Sequence, residues 1–143
     1  MECKSRVVSI VLAANVVSIL ACTHDQIFVY GMESRALLRA FGGRDMYQVM
    51  VYESRSRCSI LGSRGGALQV WDILTGRLKK SLSCNSPVQS LAYVSHMDAI
   101  ASGEQDGTVT VWDLARGIRL QILWCCGTVN VLEYWLGAPY VSD

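Results

Sequence analysis

Ser102-Gly103-Glu104-Gln105-Asp106-Gly107-Thr108-Val109-Thr110-Val111-Trp112-Asp113 is the stretch whose reading decides the fold. Asp106-Gly107 falls between two apolar runs, and the positive backbone angles of a tight hairpin suit Asp and Gly. Thr108 to Val111 alternates Thr with Val, a period of two that marks a strand. The end of the stretch has an upstream copy, since Val70-Trp71-Asp72 repeats as Val111-Trp112-Asp113. The offset from Trp71 to Trp112 also carries, without a gap, Gly62 to Gly103, Gly66 to Gly107, Gly76 to Gly117 and Leu82 to Leu123. It links Tyr52, Tyr93 and Tyr134 in one series. One further step back from Trp71 reaches Tyr30, so Val29-Tyr30 holds the slot of the Trp motif in an earlier, worn unit.

A fixed period of this length belongs to stacked repeats, and the local period of two makes these repeats all-β. Each unit reads as four short strands split by turn signals. The best one runs Val88–Tyr93, Ala99–Gly103, Thr108–Trp112 and Ile118–Leu123. The unit before it runs Tyr47–Tyr52, Cys58–Leu61, Ala67–Trp71 and Leu78–Leu82; the first runs Val7–Leu12, Val16–Cys22, Ile27–Tyr30 and Ala36–Phe41. Such strands are apolar on both faces because each sheet is expected to be sandwiched between its neighbours. The expected fold is therefore all-β: a partial β-propeller of four-stranded antiparallel blades, three blades plus the first two strands of a fourth. Residues 1–6 are an N-terminal extension; the blades span about 7–41, 47–82 and 88–123, with a half blade over 129–143.

The block from Ser102 to Asp113 resembles the WD-repeat family, and the resemblance extends over residues 7–143. In that family a His before the first strand, a Ser or Thr, a turn Asp and the Trp are tied by hydrogen bonds within each blade. The resemblance implies that Ser102, Asp106 and Trp112 fill three of those four places, with Asp113 completing the Trp-Asp pair. The middle unit keeps Trp71 and Asp72 with Ser59 nearby, while Gly65 stands in the place of the turn Asp. The first unit has His24-Asp25 at its turn. The Gly-His pair that opens a repeat in the family is missing throughout, so these repeats are divergent.

Bulk composition narrows the function. The chain of 143 residues is 51% apolar and 17% charged, with a formal net charge of +1. That charge gives no ground for a nucleic-acid or anionic-membrane partner. The six cysteines contain no C-x-x-C pair and lack a His-rich counterpart, so neither metal nor cofactor is expected. Reduced, buried thiols in a cytoplasmic protein fit this pattern. Lys4 and Arg6 before the apolar run Val7–Ala21, which ends in Ile19-Leu20-Ala21-Cys22, imitate a signal sequence with a lipoprotein box. The repeat offers a competing account, since its offset brings Ile19 and Ala21 into register with Ile60 and Gly62. The run is also short of the ~20 residues that a membrane span needs.

No catalytic arrangement is visible. His24 and His96 lie far apart, no G-x-S-x-G elbow occurs, and Gly62-Ser63-Arg64-Gly65-Gly66 lacks the Lys-Ser/Thr ending of a phosphate loop. Phe41-Gly42-Gly43-Arg44 does not match the Phe-Arg-Arg-Gly stretch of phosphoinositide-binding propellers. The chain is therefore expected not to be an enzyme and to have no small-molecule substrate. What remains is binding by loops on a rigid frame. The resemblance implies a loop face displaying Arg44, Asp45, Arg64, Asn85, Gln105 and Trp124, with Trp124 either a partner anchor or packed on the next blade. The expected function is a non-catalytic protein–protein interaction scaffold whose partners are other protein chains or the remainder of its own propeller. The alternative is a structural subunit held permanently in a large assembly.

Overall fold

The computed structural model describes residues 6–43, 45–125, 127–129 and 132. It contains twelve strands and two single turns of 3₁₀ helix, Ala14–Val16 and Ser95–Met97. The first sheet is β1 (Val7–Ala13), β2 (Ser18–Thr23), β3 (Ile27–Gly31) and β4 (Leu37–Phe41). The second is β5 (Tyr47–Glu53), β6 (Cys58–Ser63), β7 (Ala67–Asp72) and β8 (Arg77–Ser83). The third is β9 (Val88–Val94), β10 (Ala99–Glu104), β11 (Thr108–Asp113) and β12 (Ile118–Trp124). Each sheet is an antiparallel meander in chain order. Their first strands lie side by side, β1 against β5 and β5 against β9, so the sheets are arrayed radially with β4, β8 and β12 at the outside.

The core lies between sheets. Leu20, Cys22, Ile27 and Val29 of the first sheet meet Met50, Leu61 and Trp71 of the second. On the opposite face of the second sheet, Cys58, Ile60, Leu68 and Val70 meet Leu91, Ile100 and Trp112 of the third. Both faces of the middle sheet are therefore buried, which is why β6 is buried along its whole length without alternation, Ser59 and Ser63 included. A fully buried Leu or Ile contributes about 1.5–3 kcal/mol by removal from water, so Leu68→Ala is expected to cost about 2–5 kcal/mol. A notch and a key align the sheets. A Cβ on Gly62 would collide with Val88, and one on Gly103 would collide with Val129, because those valines sit over the glycines. In the first sheet Cys22 holds the notch position, and the following key is Tyr47.

Two details depart from the repeat spacing. Ile19 pairs with Tyr30 as Ser59 pairs with Trp71 and Ile100 with Trp112. Ile19 is thus the partner in space of Ser59, one place away from the match with Ile60 that the offset gives. The reason is a shorter hairpin: Cys22 pairs with Ile27, whereas Gly62 pairs with Leu68 across a turn with one more residue. The second strand also starts at Ser18 instead of Val16, since Val16 closes the 3₁₀ turn and Val17 takes φ 50°, a conformation that strains a β-branched residue. The expected half blade over 129–143 lies outside the described residues apart from Val129 and Leu132, as does most of the extension 1–6.

Candidate functional site

The two Trp-Asp aspartates do the same local job. Asp72 Oδ1 accepts from the backbone N–H of Leu74 and Thr75 at 2.8 and 3.2 Å, and Asp113 Oδ1 from Arg116 N–H at 3.1 Å. Gly76 and Gly117 then donate to the Asp72 and Asp113 carbonyls at 2.8 Å with φ 73° and 70°. Each aspartate thus caps the turn into the outer strand, where a side-chain oxygen replaces a backbone acceptor. Asp113 also meets Arg116 Nε at 3.5 Å.

The tryptophans are held in different ways. In the third sheet Ser102, Asp106 and Trp112 are not joined by hydrogen bonds to one another. Ser102 Oγ is 3.4 Å from both Glu104 Oε2 and the Thr110 carbonyl, and 3.8 Å from Cys84 Sγ. Asp106 turns to Thr108, accepting from its N–H at 3.0 Å and its hydroxyl at 2.6 Å. Those donors hold the Asp106 carboxyl below its ordinary pKa. Trp112 Nε1 is buried and makes no hydrogen bond among the described residues; its near neighbour is the Cys84 sulfur, whose thiol pKa is raised by burial, an effect that this N–H only slightly offsets. Arg119 lies over the Trp112 ring at 5.2 Å. Glu104, 1% exposed, receives Thr110 Oγ1 at 2.8 Å and the Asn85 N–H at 3.2 Å. Cys84 therefore occupies the region before β9 where the resemblance calls for a His.

In the second sheet an unforeseen set closes around Trp71. Trp71 Nε1 donates to Gln69 Oε1 at 2.9 Å, and Tyr47 Oη donates to the same oxygen at 2.7 Å. Gly43 N–H donates to Tyr47 Oη at 2.7 Å, and Gln69 Nε2 donates to Asp45 Oδ2. The Gln69 amide thus acts as acceptor twice and donor once, and Tyr47, fully buried, has both its donor and acceptor roles filled. Ser59 is not part of this set; its hydroxyl is buried without a partner among the described residues. The sequence carried a usable signal. One repeat later Tyr47 is matched by Val88, Gln69 by Thr110, and Gly43 by Cys84. A large polar residue and a bare glycine therefore replace a valine and a cysteine together.

The loop-face residues lie at the end of the sheets where outer strands return to inner ones. Arg64, Asn85 and Gln105 are exposed, and Trp124 at the end of β12 is 76% exposed. Their backbones are fixed: Arg64 N–H donates to the Met46 carbonyl at 2.9 Å and Gln105 N–H to the Pro87 carbonyl at 2.9 Å. Asn85 Oδ1 is 3.4 Å from Arg119 Nη2. Asp45 is half-buried and turned to Gln69, so its carboxylate belongs to the Trp71 set as much as to the surface. Arg44 lies outside the described residues.

Among the described residues, no group of three His, Cys, Asp or Glu side chains is placed to hold a metal ion. No helix of the described residues is long and apolar enough to cross a membrane. Burial pushes the Cys22 thiol up to about 12 and the Cys84 thiol to about 11. Both are protonated at neutral pH and poor nucleophiles, since the thiolate is the reactive form.

No protein-family model matches the chain, and no curated protein sequence matches it. Solved structures do. One described as the structure of U3-55K has a TM-score of 0.85 at 17% identity, over 93% of this chain and 44% of its own. The crystal structure of RRP9 WD40 repeats gives 0.84 at 18% identity, over 93% and 43%. The computationally designed Ika4 protein gives 0.82 at 22% identity, over 94% and 82%. The chain thus spans less than half the length of the first two. Three radially arrayed four-stranded antiparallel sheets, superposable on WD40 repeats over nearly their whole length, give this chain the fold of the WD-repeat β-propellers.

Proposed function

We propose that the chain is a non-catalytic protein–protein interaction scaffold, acting as part of a longer propeller in the cytoplasm, and that its partner docks on the loop face. The observation that carries this reading is the exposed Trp124 at the same end of the sheets as Arg64, Asn85 and Gln105, where the backbones of Arg64 and Gln105 are pinned to the frame. Large amphipathic side chains on rigid supports anchor interfaces because little conformational entropy is lost on binding. Loops of this type carry the recognition on propellers, while the sheets supply the scaffold. A photo-crosslinking residue placed at Gln105 or Trp124 is expected to give a discrete protein adduct in a cytoplasmic extract. The same residue at the exposed Glu33, at the opposite end of the sheets, is expected to give none. Equal adducts from both ends, or none from the loop face, would count against it.

The alternative, a structural subunit permanently packed in a large assembly, has its own observation. The free face of the first sheet presents Ile10 and Leu12, 67% and 56% exposed, beside the stacked rings of Phe28 and Tyr30. In the second and third sheets the corresponding face, carrying Trp71 or Trp112, is covered by the preceding sheet. Light scattering on the purified chain separates the readings. A subunit of this kind does not persist as a monomer at micromolar concentration without the chain that covers this face.

A further inference from the structure

A groove runs between the outer strand of the first sheet and the β7–β8 turn of the second, at the end of the sheets opposite the loop face. It is lined by Val16, Val29, Leu38, Arg39, Ile73 and Leu74, with a volume of about 130 Å³. The same groove recurs one repeat later, between the second and third sheets, with Val70, Lys79, Lys80, Leu114 and Ala115 in the corresponding places and about 140 Å³. The two differ in charge and in what their cation does. In the later groove Lys80 Nζ donates to the Leu114 and Ala115 carbonyls, and Glu53 and Asp98 also line the wall. The earlier groove has no carboxylate in its lining. Its Arg39 is half-buried, and among the described residues its guanidinium makes neither an ion pair nor a hydrogen bond. The other polar member of that lining, Ser18, already donates to the Val16 carbonyl at 3.0 Å.

Position and exposure add to this. The turn at Gly76 lies along the Arg39 stem, so that a Cβ there would stand 3.3 Å from Arg39 Cδ. Leu38 and Leu74 at the mouth are 56% and 46% exposed. A guanidinium without a partner among the described residues, its stem against the Gly76 turn and beside an apolar slot with exposed leucines on its lip, is complementary to one kind of ligand. That ligand has an aliphatic side chain next to a carboxylate. The slot is well below the ~300 Å³ at which small-molecule sites begin, so it takes a single side chain and not a cofactor.

We propose that this groove docks a short, extended acidic segment of a partner protein. One Leu or Ile of the segment enters the slot, and an adjacent Asp or Glu carboxylate pairs with Arg39. A carboxylate can take two parallel hydrogen bonds from a guanidinium, which fixes the direction of the segment. The site is separate from the loop face and does not depend on it.

The test is a methyl NMR titration of the full chain with the peptide Ac-Asp-Leu-Asp-NH2, alongside its neutral counterpart Ac-Asn-Leu-Asn-NH2. The acidic peptide is expected to shift the methyl resonances of Leu38, Ile73 and Leu74 progressively, at about millimolar concentration. It should bind about fivefold more tightly than the neutral one, and added salt should narrow that gap. Arg39→Gln, a surface change that leaves the interior untouched, is expected to make the two peptides equal, while Leu38→Asn weakens both. The proposal fails if neither peptide shifts these methyls, if both bind equally to the unaltered chain, or if the groove between the second and third sheets responds first. Arg39-dependent co-sedimentation with phosphatidylserine vesicles, in the absence of any peptide response, would also overturn it in favour of a membrane surface.

Discussion

Trp71 and Trp112 occupy the same place in successive repeats and are buried alike, at 8% and 5% exposure, yet only one of them is satisfied. Trp71 has its N–H on Gln69, within a set that also fills every role of the Tyr47 hydroxyl. Trp112 has an N–H that makes no hydrogen bond among the described residues, with the Cys84 sulfur as its near neighbour, and a cation over its ring. A repeat position therefore fixes the packing of an indole and leaves its hydrogen bonding to be settled locally. A buried polar group without a partner costs about 1–3 kcal/mol. Among the described residues each of the two sheets carries one at its tryptophan position, the Ser59 hydroxyl opposite Trp71 and the Trp112 N–H, so the sheets differ in which group goes unpaired.

That contrast can be broken most sharply just before each tryptophan, at the nearest residue on the same face of its strand. Gln69→Leu leaves two buried donors, the Trp71 N–H and the Tyr47 O–H, without their acceptor and is expected to cost about 3 kcal/mol in urea unfolding. Thr110→Val, at the matching place one repeat later, removes one hydrogen bond to Glu104 and is expected to cost about 1 kcal/mol. Equal losses would show that the two sets are energetically alike.

Alkaline pH compares the two junctions next. Thiols ordinarily titrate near 9, and burial raises Cys22 to about 12 and Cys84 to about 11. Below about pH 9 both thiols are protonated in folded and unfolded chains, and their contribution is fully present. Above it the unfolded chain releases protons that the folded chain keeps, so stability falls with rising pH. The fall continues to about pH 12 for Cys22 and about 11 for Cys84. In unfolding followed across the alkaline range, Cys22→Ala is expected to flatten the decline more than Cys84→Ala. A slope unchanged by either substitution would remove this account.

The indoles themselves give a finer comparison. Trp71→Phe and Trp112→Phe both lose ring area, but only the first removes a hydrogen bond, leaving Gln69 Oε1 with the Tyr47 hydroxyl alone, and only the second removes a buried donor that has no hydrogen bond among the described residues. Trp71→Phe is expected to be the more costly by about 1 kcal/mol, read as a difference in denaturation midpoint. The smallest effect belongs to Asp106→Ala, which releases the hairpin N–H and hydroxyl of Thr108 at an exposed turn. A loss of about 0.5–1 kcal/mol is expected, vanishing on acidification because the carboxylate, and not the acid, is favoured there. A loss as large as that of Gln69→Leu would instead tie Asp106 to the Trp112 environment.

Much of the architecture was legible because it rests on period and turn chemistry. The alternation around Trp112, the Asp106-Gly107 hairpin and the constant repeat offset led to three four-stranded sheets, which the structure contains with strand ends shifted by a residue or two. The first sheet misled the offset by one place, since hairpin length changes register without changing composition. The Trp71 set was not legible from the family pattern, because its members come from places that the pattern treats as apolar or bare. Tyr47 is a first-strand key, Gln69 a third-strand residue and Gly43 a loop glycine, and they make sense only together. Asp45 shows the same limit from the other side. Its loop position suggested a surface role, whereas the side chain reaches inward because the Gln69 amide has an N–H to satisfy.

The glycine notches carry a consequence in time. Val88 stands as far beyond Gly62 in the chain as Val129 does beyond Gly103. As the chain is synthesised, each receiving glycine therefore emerges, and its hairpin can form, before the valine that seats over it. Contacts this local close cheaply and fast. On the ribosome each new sheet is thus expected to meet a template already made, so that assembly from the N-terminal end needs no later segment of the chain. A bulky residue at Gly62 would meet Val88 of the next sheet and Val49 of its own, disturbing the second junction first.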